Sequence, residues 1–118
     1  MTQRELAIHL ARIADKKLAA DIRVLHVEEL TTLAEYFIIA TCTSPAHLKA
    51  LSEEIEVLMK RDGQPPHHIE GYLSGSWVLM DFTGVIVHLF TKETRDFYSL
   101  ERLWSDAQEI SFDEGGES

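Results

Sequence analysis

Tyr36-Phe37-Ile38-Ile39-Ala40-Thr41, followed after Cys42-Thr43 by Ser44-Pro45, is the stretch that decides how this chain folds. The run is apolar on both alternating faces, so the strand it forms belongs inside a sheet with cover on each side. The cover starts at once. Ser44 is suited to cap a helix and Pro45 to open one, and Leu48, Leu51, Ile55 and Leu58 then recur at helical spacing. Gly63 supplies the left-handed stop.

Upstream, Thr2-Gln3-Arg4-Glu5 has the spacing of a capping box. Leu6, Leu10, Ile13 and Ala14 share one helical face, which predicts an amphipathic helix over residues 3–18. Asp21 leads into a strand over Ile22–Val27, and a connection over 28–34 follows. Downstream, Gln64-Pro65-Pro66-His67-His68 is a stiff loop, short enough to lie within one domain. A strand over Ile69–Leu73 comes next. Trp77–Phe82 and Val85–Thr91 then form a hairpin turning at Phe82-Thr83-Gly84. A helix is predicted from about Glu93 to Gln108, burying Phe97, Leu100, Leu103 or Trp104, and Ala107. Residues 1–110 read as one domain and 111–118 as a flexible acidic tail.

This order implies a mixed β-sheet of about five strands packed with helices, an α/β fold on the border of α+β. The topology is nucleotidyltransferase-like, but without the catalytic carboxylate pair. Such enzymes hold two metal ions with carboxylates one residue apart on a strand, and Asp81-Phe82-Thr83 offers only one.

A chain of 118 residues buries roughly two thirds of its unfolded surface in one core. Cys42 is the only cysteine, which excludes a disulfide framework or a four-thiolate zinc site and fits a reducing compartment. No run approaches the roughly 20 apolar residues that span a bilayer, and the first residues show neither a secretion nor an import signal. The expected setting is cytoplasmic, without membrane partners. Twenty acids against eleven bases leave a net charge of −9, so little direct nucleic-acid binding is expected. Such a charge suits a basic protein surface, although solubility alone also accounts for it.

Catalytic chemistry finds little support. His67-His68 with Glu70 has zinc-binding residue types, but adjacent side chains in a loop diverge and no further ligand follows at a usual spacing. No metal or other cofactor is therefore expected. His88 reads more simply as a hydrogen-bonded sheet histidine than as a ligand. Cys42 lies between a strand and a helix start, yet the loop has no glycine, and Leu48 stands where an anion-clamping Arg would follow. Neither a Gly-x-Gly-x-x-Gly nor a Gly-Lys-Ser/Thr loop is present.

The remaining features suit a protein interface. Trp77, Tyr98 and Trp104 are anchoring residue types, and Glu70, Asp81, Arg95 and Glu101 are available to rim them. The plainer reading of the aromatics is that they fill the core. Asp81 resists that reading, because a carboxylate among Val78, Leu79, Met80 and Phe82 must be paired, capped or turned toward a partner.

These residues resemble the ribosomal silencing factor family, also called Iojap. Ala34-Glu35-Tyr36-Phe37-Ile38-Ile39, Thr41-Cys42-Thr43-Ser44, Glu70-Gly71, Trp77, Asp81, Val87-His88-Leu89-Phe90, Arg95, Tyr98, Leu100-Glu101 and Leu103-Trp104 match its landmarks in order. Asp15-Lys16-Lys17 and Ala20-Asp21-Ile22 extend the likeness toward the N-terminus, so it covers about residues 6–107. Glu35 replaces the usual Asp, and Ala46 stands where the family usually has an Arg.

The resemblance implies a non-enzymatic protein that binds the large ribosomal subunit. Its target there would be the fourteenth large-subunit protein, on the face that meets the small subunit. Occupying that face would block subunit joining and repress translation. A role in large-subunit biogenesis and self-association as a homodimer are implied as well. The bound surface would be formed by Trp77, Asp81, Tyr98, Glu70, Arg95 and Glu101. The alternative from another class is a nucleotidyl- or phosphoryl-transfer enzyme, or a degenerate relative, using Asp81 and His88.

Overall fold

All seven residues of Tyr36–Cys42 are buried, as a strand apolar on both faces requires. In the computed structural model, which describes residues 1–98, 102 and 104–112, this strand is β2. Around it run α1 (Gln3–Lys16), β1 (Ala20–His26), α2 (Pro45–Arg61), β3 (His68–Glu70), β4 (Trp77–Asp81), β5 (Val85–Thr91), α3 (Lys92–Tyr98) and β6 (Gln108–Ile110). The sheet order is β3-β4-β5-β2-β1-β6. Only the central β2–β5 pair is parallel, and the other neighbours are antiparallel, so the sheet is mixed and the fold α/β.

Both long helices begin with the predicted chemistry. The Thr2 hydroxyl accepts from the Glu5 amide at 3.0 Å, and the Thr2 amide donates to the Glu5 carboxylate at 2.8 Å. The Ser44 hydroxyl accepts from the His47 amide at 3.0 Å, with Pro45 as the first helical residue. Gly63, at φ +77°, ends α2, and the Gln64 amide returns to the Met59 carbonyl at 2.8 Å. α1 stops at Lys16, short of the predicted 18, because Leu18 adopts φ +67°.

The two helices supply one core. Leu6, Leu10 and Ile13 of α1 and Leu48, Leu51, Ile55 and Met59 of α2 pack with Ile38, Val78, Met80, Val87 and Leu89 of the sheet. On the other face Leu25, Phe37, Ile39, Ile86 and Phe90 form a second, smaller cluster. No helix among the described residues is long and apolar enough to cross a membrane.

Two further predicted boundaries change. The strand expected over Ile69–Leu73 is His68–Glu70, because Gly71 turns at φ +77° and its carbonyl accepts from the Ser74 amide. The helix expected to reach Gln108 does not: residues 104–106 turn, and Gln108–Ile110 is a sixth strand on the edge beside β1. Ile110 is buried there, and the Phe112 carbonyl accepts from Arg12 Nε at 3.0 Å. Residues 113–118, most of the predicted tail, lie outside the described residues, as do Leu100, Leu103 and the Phe97 side chain.

Candidate functional site

Strand alternation sorts the predicted site residues. Val78 and Met80 point into the helix-covered core, so Trp77, Leu79 and Asp81 point to the opposite face. Register extends that face across the sheet. Trp77 lies opposite Phe90, and Phe90 opposite Thr41; Leu79 lies opposite Glu70 and His88, and His88 opposite Ile39; Asp81 lies opposite His68 and Ile86, and Ile86 opposite Phe37. Glu70, Trp77 and Asp81 are thus brought together around Leu79, at the sheet margin away from β1. Trp104 covers the other side, its ring edge-on to Phe37 at 5.1 Å.

Trp77 is held by its approach loop. The Ser74 hydroxyl accepts from the amides of Ser76 and Trp77, both at 3.1 Å, and donates to the Trp77 carbonyl at 2.9 Å. The indole lies against Gly71, where a Cβ would come within 2.5 Å of the ring. Trp77 is only partly buried, with one part packed on the second cluster.

The charged candidates divide. Asp81 is the last residue of β4 rather than a mid-strand residue, and its Oδ1 accepts from the Thr83 amide at 2.8 Å, capping the hairpin turn. Glu70 is exposed and meets His68 Nε2 at 2.8 Å, a surface pair of small energetic weight. Arg95 turns inward at 7% exposure, its Nη1 donating to the Asp21 carbonyl at 2.6 Å and to the Thr41 hydroxyl at 2.7 Å. It therefore packs within the chain instead of rimming Trp77. The Tyr98 side chain and Glu101 lie outside the described residues.

His88 departs from its expected role as a hydrogen-bonded sheet residue. Its ring meets Phe37 edge-on at 4.9 Å and is parallel to Phe90 at 6.3 Å. Nε2 is shut off from solvent and has no hydrogen-bond partner among the described residues. Burial lowers its pKa to about 4, so the ring is neutral at pH 7. The signal for its place was available in the sequence: His88 alternates with Ile86 and Phe90, both on the Trp77 face.

Asp81 and His88 do share this face, but the Asp81 carboxylate is engaged in the turn and no second carboxylate stands one residue away on its strand. No group of three His, Cys, Asp or Glu able to hold a metal ion occurs among the described residues. Cys42 is buried in the main core, and desolvation pushes its thiol up to about 11, the state of a packed rather than a nucleophilic cysteine.

The sequence profile of the family described as ribosomal silencing factor during starvation matches residues 1–118. A ribosomal silencing factor of Bacillus subtilis is 35% identical over 115 residues, covering 98% of each chain. A crystal structure of a Chromobacterium violaceum protein has a TM-score of 0.85 and 33% identity, covering 100% of this chain and 98% of that one. The mouse mitochondrial assembly of ribosomal large subunit protein 1 is 34% identical over 90 residues, which span 74% of this chain and 40% of the mouse protein.

Proposed function

Matched along its full length, this chain belongs to the ribosomal silencing factor family, and we propose that it represses translation by occupying the large ribosomal subunit. The contact would be made with a ribosomal protein on the subunit-joining face, the fourteenth of the large subunit. Bound there, the chain excludes the small subunit by its bulk and performs no chemistry. The name of the mouse relative, which refers to assembly of the large subunit, favours the same particle and a further part in its biogenesis.

The observation that carries this reading is the sheet face around Trp77. A partly buried indole and Leu79 are bordered by Glu70 and Asp81 and have no helix from the main core over them. An apolar centre edged with carboxylates suits a basic protein partner. The chain's overall charge of −9 draws it in the same direction and weakens stray contact with ribosomal RNA. Trp77 serves as the anchor.

Co-sedimentation with separated small subunits, large subunits and intact ribosomes tests this. Retention on large subunits alone, with small-subunit joining inhibited in proportion, is the expected result. Trp77→Ala should weaken retention by about 2 kcal/mol or more, roughly thirtyfold. Failure to bind any particle would overturn the function. A folded Trp77→Ala variant with undiminished affinity would remove this face from the contact.

A further inference from the structure

The acidity of this chain is unevenly spread. Where β1 begins, β2 ends and α3 starts, a cavity of about 500 Å³ is lined by Arg23, Lys92, Arg95 and Arg102, with the carboxylates of Asp21 and Asp96. Among the described residues, four of the chain's eleven bases line this cavity with two acids. A positive concavity in a molecule of net charge −9 is a local reversal that solubility does not explain.

The cavity is also partly preorganised. Arg95 is 7% exposed and tied to the Asp21 carbonyl and the Thr41 hydroxyl, so its guanidinium is fixed before any ligand arrives. Two of the other cations are held only by surface ion pairs. Lys92 meets Asp96 at 3.5 Å and Arg23 meets Glu109 at 3.9 Å, both with largely exposed side chains. Such pairs exchange readily for a stronger acceptor.

We propose that this cavity binds a small phosphorylated anion and recognises its phosphates. Guanidinium forks and an ammonium match phosphate oxygens in geometry and charge. The volume falls within the roughly 300–1,000 Å³ of small-molecule sites. Among the described residues no lining side chain is aromatic, so recognition rests on the phosphates and affinity follows phosphate charge. A long polyanion would have to lie along the surrounding acidic surface; a short one need not.

Calorimetric and NMR titration of the full chain with inorganic pyrophosphate tests the site. One ion should bind, with shift changes confined to residues around Arg23, Thr41 and Lys92–Asp96. Lys92→Ala with Arg102→Ala should weaken it roughly tenfold or more. Lys16→Ala with Arg61→Ala, an equal charge change in a separate α1–α2 groove, should leave it unchanged. ADP should bind and adenosine should not. Lys92→Glu, at a side chain 82% exposed, answers the question if the double variant does not fold. Absence of binding at millimolar pyrophosphate would overturn the site. So would undiminished binding in a folded cavity variant, or an equal loss in the groove variant.

Discussion

A Cβ at Gly71 would reach within 2.5 Å of the Trp77 ring, whereas one at Gly63 would meet nothing within 4 Å, although both glycines have φ +77°. The pair separates backbone strain from displacement of the anchor. Gly63→Ala should cost about 1 kcal/mol in thermal or urea unfolding and leave large-subunit binding intact. Gly71→Ala should cost more and weaken binding as well, because the indole must move. Binding retained by a folded Gly71→Ala protein would mean that the indole's present position is not the one used. His88 governs a different measurement. Its folded pKa is lowered from 6.5 to about 4, so between those values the unfolded chain takes up a proton that the folded chain refuses. Stability should therefore fall as pH drops from about 6.5 and level off, for this group, below about 4, a loss of a few kcal/mol. His88→Leu should flatten that part of the curve; a parallel curve would show that His88 titrates normally in the fold. Trp77, Glu70 and Asp81 are named in the sequence by residue type and family resemblance, and strand register sets them on one sheet face. The inward turn of Arg95 was not legible there, since its acceptors, Asp21 and Thr41, lie 74 and 54 residues away. A cation on a short helix, read locally, looks exposed.

At the level of elements, β2, α2 and the hairpin of β4 and β5 could be read from the chain because each carries its own local signals. Apolar runs, a serine cap followed by proline and a glycine-bearing turn all act between neighbours in sequence. β6 carries no such signal. Gln108-Glu109-Ile110 is too short to show alternation, and its strand state comes from pairing with Val24, Leu25 and His26. The same lack of local preference let helical periodicity run on to Gln108 in the sequence reading. If β6 closes the sheet edge, Ile110→Ala should destabilise by about 2 kcal/mol or more in urea, given that Ile110 is 4% exposed. A change within a few tenths of a kcal/mol would mean that the edge frays at little cost. Ser44→Ala, by comparison, should remove about 1 kcal/mol through the lost cap.

For the molecule as a whole, charge sets the expected response to salt. A chain of net −9 meeting a basic surface should lose affinity for large subunits as ionic strength rises past about 0.15 M, where the screening length is near 8 Å. Co-sedimentation over a salt series checks this, and salt-independent retention would shift the weight of binding onto Trp77 and Leu79 alone. The parallel pairing of β2 with β5 has a consequence of another kind, in time rather than space. β2 ends at Cys42 and β5 begins only at Val85. A chain leaving the ribosome N-terminus first therefore presents β2 with β1 on one side and nothing on the other until its last third has emerged. The fully buried strand thus waits for its second neighbour until β5 is made, and β1 waits longer still for β6, so the sheet is completed late in synthesis.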